Sequence, residues 1–536
     1  MTVKFMLDGY DAIVHTADLP PALANHPDLP RFEHQGQSFA RLPYNTRSVQ
    51  AYRMAGLNIP CPILTRYPWP KVQGLHPARE DQKDTAQFCV MNNYSFVLNE
   101  IGTGKTYSAM WAADYLMRER LVRRVLIISP LSTLRRVWAD SVYSTFNGRT
   151  CGVMHGDAKR RKAILAQDHD FYVINPAGLS VICKRTFNSE GVLQSVTMDR
   201  TDFDLVIIDE IGAYRNGNTL QWAVLHKVLE LLRPAYLWGM TGTPIPENPA
   251  DAWAQIRLVR PDRVPKYYTV FKRTVMQQVS QFKWVALNDA PDKIYSAMRP
   301  AIRYTRDQVV DLPPVVYVER EAELSVQQKK MLTDLTKELQ VRLQSGERIS
   351  VANEAGMRNK FLQIACGAVY TDTGGVIELD CSSRLDAVLE GVEMSPSKVI
   401  VFVPFTGALQ MVARFLRGHK YTVEVVSGEV PPSRRDEIFG AFQGSPDPRI
   451  IVADAGCMSH GLTLTEAATV VWYGPEQSND TYIQACGRIT RQGQKHVGTF
   501  IHLSSTAFER EVFKRTKEKG RLQDLYLNMV SAGEAI

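Results

Sequence analysis

The chain lacks several features that would have narrowed its class at once. Its eight cysteines contain no CxxC pair, so neither a zinc site nor a dithiol redox centre is supported. They stand apart, at Cys61, Cys89, Cys151, Cys183, Cys366, Cys381, Cys457 and Cys486. They read as reduced thiols of a cytoplasmic protein. No apolar run approaches the roughly 20 residues of a membrane span. The opening stretch, MTVKFMLDGYDAIVHTADLP, has no apolar core of signal-peptide shape. No membrane association is therefore expected. There is no low-complexity tract and no short repeat. A large excess of one charge is also missing: 63 Lys and Arg face 56 Asp and Glu, a mild net +7. That balance permits an acidic partner without demanding one.

What is present is ordinary globular material arranged in a regular order. Hydrophobic residues make up 45% and charged residues 22% of 536 residues, a length that predicts about three to four domains. From Phe96 onward, short apolar runs alternate with helical patterns. FVLN at 96, VLIIS at 125, YVIN at 172, LVIID at 205 and YLWGM at 236 are apolar throughout. Unbroken apolarity is the mark of parallel strands covered on both faces. SAMWAADYLMRERL and TLQWAVLHKVLELL have the spacing of amphipathic helices. The pattern then returns with KVIVFV at 398, TVEVVS at 422, RIIVAD at 449, TVVWYG at 469 and GTFIHL at 498. The fold class is α/β, with two tandem doubly wound parallel-sheet domains at 71–265 and 381–536. Residues 266–380 read as a mostly helical connecting segment. Residues 1–70 are short, proline-dotted and form a small N-terminal accessory region.

The stretch SFVLNEIGTGKTYSAM carries the first chemistry. A strand, a glycine turn and a helix start converge there, so several backbone N–H groups and a helix dipole address one point. Gly102, Thr103 and Gly104 form the cradle. Lys105 adds charge for outer phosphates, and Thr106 offers a hydroxyl to Mg²⁺. The strict GxxxxGK[ST] pattern is broken by Asn99, which is tolerable if that position tightens the turn. Asp209 and Glu210 end the LVIID strand, at the edge where open parallel sheets bind ligands. Asp209 is assigned to the metal and Glu210 to the attacking water. Thr241 and Thr243 bracket Gly242 after the next strand and are assigned to coupling. In TYIQACGRITRQ, a continuous helix would put Gln484, Arg488 and Arg491 on one face. The two arginines then act as fingers in cis on a transferring phosphoryl group. Gly456, Ser459 and Gly461 are small enough for close backbone approach to a ligand.

These motifs together resemble superfamily 2 helicases. NEIGTGKT, DEIGAYRN, MTGTP, SHGLTLTEA and QACGRITRQGQ stand in the order of motifs I, II, III, V and VI. LIISPLSTLRRVW is similar to motif Ia and KVIVFVPFTGAL to motif IV. GLHPAREDQ resembles the adenine-recognition motif, which implies nucleotide contacts for Arg79 and Gln82. The wording of motif VI, and DLPPVVYVEREAELSVQQ, resemble the Swi/Snf-type translocase branch. The compact form and SHGLTLT also resemble helicases encoded by bacteriophages. The resemblance spans about residues 77–510. It implies two RecA-like domains, ATP with Mg²⁺, and a DNA track gripped mainly through phosphates. Ser132, Thr133, Asn175, Thr241, Ser427 and Thr463 are the track contacts it implies, and KRRK at 159–162 adds charge or is a solvated face. Motif II departs from the family pattern, with Gly212 where relatives often have histidine, and motif VI has Thr490. An ATP-driven translocase on duplex or branched DNA, acting in replication, recombination or repair, is the leading expectation. An RNA helicase and a nucleotide-dependent clamp without productive hydrolysis are the alternatives. A cytoplasmic monomer is expected, in a bacterial host cytoplasm if the source is a phage.

Overall fold

The computed structural model describes residues 5–71, 77–245, 248–280, 283–309, 313–344, 351–371, 375–458, 463–491 and 493–516. These fall into two compact units divided between Tyr304 and Thr305, apart from Ile245 and Asn248, which group with the second.

The first unit is built on a seven-stranded sheet. Its strands, in spatial order, are Ala301–Ile302, Tyr94–Val97, Tyr236–Met240, Leu205–Asp209, Val125–Ile128, Phe171–Ile174 and Cys151–Met154. Every pairing is parallel. The solid apolar runs are buried on both faces, as that arrangement requires: Val125–Ile128 and Phe171–Ile174 have no exposed residue. Two strands of this sheet are not among those read from the sequence. Cys151–Met154 contains a glycine and no apolar run, and Ala301–Ile302 has only two residues. The helix Lys105–Arg118 packs on the sheet with Ser108 through Met117 buried. One polar group in it needs explanation. Asp114 is 1% exposed, and it accepts from Tyr67, Arg118 and Arg149, each at 2.8 Å. A buried carboxylate persists only with such partners.

The N-terminal region, which the sequence left unplaced, is an antiparallel four-stranded sheet. Its strands are Phe5–Asp8, Asp11–His15, Gln37–Pro43 and Arg31–His34 in spatial order. Ala12, Val14, Ala40, Leu42, Val49, Leu57 and Ile59 form its separate core. It is tied to the larger sheet's covering helix by Thr46 and Tyr115, whose hydroxyls lie 2.8 Å apart.

The second unit carries a six-stranded parallel sheet in the order Val315–Glu321, Gly498–Ser504, Ala467–Trp472, Lys398–Phe402, Ile450–Ala453, Val423–Val426. Arg384, 1% exposed, and Glu509, fully buried, form an ion pair of 2.7 Å beneath it. The segment 266–380 contains the helices Val326–Gln344 and Val351–Ala365. It also supplies strands: Ala301–Ile302 completes the first sheet and Val315–Glu321 the second.

Candidate nucleotide-binding site

Three neighbouring strands of the first sheet bring the motifs together. Tyr94–Val97 leads into the glycine loop, Tyr236–Met240 into Thr241–Thr243, and Leu205–Asp209 ends in the acidic pair. Parallel pairing puts all three ends on one edge.

The loop between Leu98 and Gly104 is braced from several sides. Leu98 N–H donates to Ile302 O at 2.8 Å and Glu100 N–H to Tyr304 O at 2.9 Å. Asn99 is 2% exposed and faces inward. Its Oδ1 accepts the Tyr304 N–H at 2.9 Å, and its Nδ2 donates to Thr85 Oγ1 at 2.9 Å. The residue that breaks the glycine pattern therefore clamps the loop to the neighbouring helix and to the edge strand. Gly104 has φ 88°, in the left-handed region, and caps the helix that starts at Lys105. A β-carbon there would also overlap the amide of Gln82. Gln82 Nε2 and Arg79 Nη2 both donate to Thr103 O, at 3.2 and 2.6 Å. Asp81 holds the Arg79 guanidinium at 2.9 Å. So Arg79 and Gln82 lie directly against the cradle. The Lys105 ammonium donates to Asn99 O at 2.8 Å and Glu100 O at 3.1 Å. Thr106 is half-buried in the first turn of the helix.

Across the same edge, Asp209 Oδ2 accepts from Ser129 Oγ at 2.8 Å and from Trp138 Nε1 at 2.9 Å. Glu210 has φ 51° and ψ 52°, a strained left-handed conformation for a residue with a side chain. Its Oε2 accepts from Thr241 Oγ1 at 3.3 Å, and Thr241 Oγ1 accepts the Thr243 N–H at 3.1 Å. Gly212 packs closely here: a β-carbon on it would stand 3.2 Å from Thr243 O. The acidic motif and the threonine motif thus touch directly, with no histidine between them. Asp84, beside the loop, has its carboxyl pushed up by burial, and Tyr304 donates to it at 3.0 Å.

In the second unit one expectation needs correcting. The helix Asn479–Cys486 stops at Gly487, so Gln484, Arg488 and Arg491 do not share one helical face. The chain turns there, and Arg488 N–H closes back on Ala485 O at 3.1 Å. Gln484 and Arg488 are 3% and 2% exposed. Arg491 is half-buried and donates to Gly487 O at 3.0 Å and to Thr463 Oγ1 at 3.1 Å. Thr490 is held by Arg306, which donates to its carbonyl at 3.1 Å and also to its hydroxyl. Gly461 and Ser459 lie outside the described residues.

The residues assigned to a track divide by burial. Ser132 and Thr463 are exposed and Asn175 is partly so. Thr133, Thr241, Thr243 and Ser427 are 5%, 0%, 2% and 4% exposed. The side chains of Thr133, Thr241 and Ser427 therefore brace the interior, and any contact they make to a strand would run through their backbone groups. Asn175 Oδ1 accepts from Arg161 at 3.1 Å. Arg161, from the KRRK run, is 8% exposed and also donates to Gly156 O at 2.8 Å, so only its neighbours in that run can act as surface charge. Sequence reasoning missed Ser129, Trp138 and Tyr304. Ser129 and Trp138 stand in the stretch LIISPLSTLRRVW, but nothing in it singles either of them out.

Two α/β units with parallel sheets, one of them ending three adjacent strands in a glycine-lysine loop, an Asp-Glu pair and a threonine turn, define the class of two-domain P-loop proteins. The chain belongs to the SNF2-related family: residues 78–365 match the SNF2-related domain, and residues 383–493 match the helicase conserved C-terminal domain. It is 24% identical over 455 residues to an ISWI chromatin-remodeling complex ATPase of Arabidopsis thaliana, covering 80% of this chain and 40% of that protein. It is 22% identical over 452 residues to an uncharacterized ATP-dependent helicase of Mycoplasma genitalium, with the same two coverages, 80% and 40%. The chain thus spans about two fifths of the length of these relatives. Among solved structures, a SWI2/SNF2 ATPase core from Sulfolobus solfataricus in complex with dsDNA aligns with a TM-score of 0.40 and 20% identity, over 86% of this chain and 96% of that one.

Proposed function

We propose that the protein is an ATP-dependent translocase that moves on duplex or branched DNA. The observation that carries this is the single sheet edge bearing Lys105, Asp209, Glu210 and Thr241 on three adjacent strands. On this reading residues 71–265 and 381–536 are the motor domains, 266–380 joins them, and 1–70 is accessory.

The loop amides and Lys105 hold the phosphates, and a bound phosphate replaces the loop carbonyls that Lys105 now engages. Arg79 and Gln82 pack beside the cradle and read the base. Glu210 orients the attacking water, held by Thr241. Gln484, Arg488 and Arg491 serve the transition state, the arginines offsetting charge on the phosphoryl group. The site fits Mg²⁺. Asp209 and Thr106 offer hard oxygen donors, Asp209 is oriented by two hydrogen bonds, and no three-residue cluster of His, Cys, Asp or Glu is arranged for a metal among the described residues. Mg²⁺ keeps water and phosphate ligands and needs few from protein. When bound it supplies charge neutralisation to the phosphates. Ser132, Asn175 and Thr463 are the contacts proposed for the DNA strand, through phosphates. A monomer working in the cytoplasm, in replication, recombination or repair, and a phage origin are extensions of the same reading.

The test is the ATPase rate with duplex, single-stranded and forked DNA and with RNA side by side. Duplex DNA should stimulate most. Stimulation by RNA alone would replace this reading with an RNA helicase.

A further inference from the structure

The Asp209 carboxylate is held by two residues of the stretch LIISPLSTLRRVW to which the sequence assigns no individual role. Trp138 Nε1 donates to Oδ2 at 2.9 Å, and Ser129 Oγ donates to the same oxygen at 2.8 Å. The indole is also 3.1 Å from Ser129 Oγ. Ser129 Oγ lies 2.6 Å from Thr133 Oγ1, and Thr133 reaches Pro130 O at 2.8 Å. Ser129 and Trp138 are fully buried, and Thr133 is 5% exposed.

Proton bookkeeping orders this cluster. An ionised carboxylate only accepts, and an indole only donates. Ser129 has one proton, and Asp209 takes it. Thr133 then has two acceptors in reach for its own proton, Ser129 Oγ and Pro130 O. Its hydroxyl is a two-position rotor between the acidic cluster and the backbone of the turn. That turn, Leu131–Thr133, is a short 3-10 segment with Leu131 51% exposed and Ser132 exposed.

The segment that follows explains why Trp138 arrives at Asp209. Leu134–Ala139 is a π-helix, whose wider turn changes the direction of the side chains that follow its start. Such turns are rare and concentrate at functional sites. Both donors engage Oδ2, so Oδ1 is the oxygen turned away from them.

We propose that Ser129 and Trp138 are positioning residues that aim the Asp209 carboxylate at the nucleotide's divalent cation, and that Thr133 links this carboxylate to the exposed turn at Leu131–Thr133. A strand resting on that turn alters the Thr133 hydroxyl and thereby the set of bonds on Asp209. The inference rests on the function proposed above, and its test is separable from it.

The test uses the full chain and a fluorescent ATP analogue, titrated with Mg²⁺ and again with EDTA. Trp138→Phe keeps an aromatic ring but removes the N–H along with part of the indole from a fully buried position, and Ser129→Ala removes the other donor. Each should lower the Mg²⁺-dependent gain in nucleotide affinity about tenfold, the size expected for one hydrogen bond to a charged group. Affinity in EDTA should stay within about twofold of the unaltered chain, because neither group faces the nucleotide. Thr133→Val should lower the duplex-stimulated ATPase rate more than the unstimulated rate. If Trp138→Phe does not fold, Ser129→Ala carries the test alone. A full Mg²⁺ gain in folded variants overturns the inference. Absence of any Mg²⁺ gain in the unaltered chain would instead overturn the proposed nucleotide site.

Discussion

Asn99 accepts the backbone N–H of Tyr304 at 2.9 Å, and the residue that breaks the glycine pattern is thereby a clamp. Restoring the pattern with Asn99→Gly removes two buried hydrogen bonds, those to Tyr304 and Thr85. Each is worth about 1 kcal/mol net, and Gly also raises the entropy of the unfolded loop. The variant should melt several degrees lower, at about 2–4 °C per kcal/mol, with no gain in ATP affinity. Melting curves with and without nucleotide measure both quantities.

Lys105→Ala should abolish ATP turnover while leaving the fold intact, since the loop that its ammonium engages is also braced by Asn99 on Thr85 and Tyr304 and by the backbone bonds to Ile302 and Tyr304. Glu210→Gln should bind ATP and stall. Gly104→Ala should do worse than either, because φ 88° and the Gln82 amide both reject a β-carbon. Turnover near the unaltered rate in Lys105→Ala, with binding followed separately, would remove the loop from the site.

Arg488→Ala and Arg491→Ala should each cut kcat by at least about 10³-fold if they act on the transition state, with smaller effects on nucleotide affinity. Arg488 is 2% exposed, so its loss should also cost stability, and single-turnover rates must be compared at matched folded fractions. A loss confined to DNA affinity would assign both to the track.

The cysteines give a pH prediction. Burial pushes the thiols of Cys61, Cys151, Cys366 and Cys486 up to about 12 and that of Cys183 to about 11. A raised value favours the neutral thiol, so at pH 8 the thiolate fraction at pKa 12 is about 10⁻⁴. Alkylation at pH 8 should be slow in the native chain and reach all eight sites only in denaturant, with the half-buried Cys457 reacting first. The stability that these groups contribute is full below about pH 9 and is lost as pH rises towards 12. Alkaline unfolding should fall in that window.

How much was legible follows from the kind of signal each element left. Strands such as Leu205–Asp209 and Lys398–Phe402 were plain, because burial on both faces demands unbroken apolar runs. Cys151–Met154 was not, since a sheet's edge tolerates a weaker sequence. Ala301–Ile302 was not, because two residues carry no period. Lys105, Asp209 and Glu210 were readable from local motifs. Thr241 was placed at the right edge, although its burial against Glu210 is a tertiary fact. The helix through Arg488 was overextended: the pattern continued, but the helix stopped at Gly487 and the chain turned. Trp138 and Tyr304 reach the site over 71 and 205 residues of sequence, from Asp209 and Asn99. No local pattern reports such a distance.

Phosphate-directed grip implies that stimulation by DNA is nearly independent of base sequence and falls steeply with salt, as counterions are released on binding. ATPase rates on two duplexes of different sequence, each across a salt series, should superimpose. A strong preference for one sequence would point to base reading instead.

Movement on duplex DNA is the central claim, and displacement of a third strand from a triplex reports it most directly. A motor that tracks along the duplex strips off the third strand without opening the two beneath. The account predicts ATP-dependent displacement by the unaltered chain, none by Lys105→Ala, and little unwinding of a simple duplex. Strong duplex-stimulated ATP hydrolysis with no triplex displacement would contradict it.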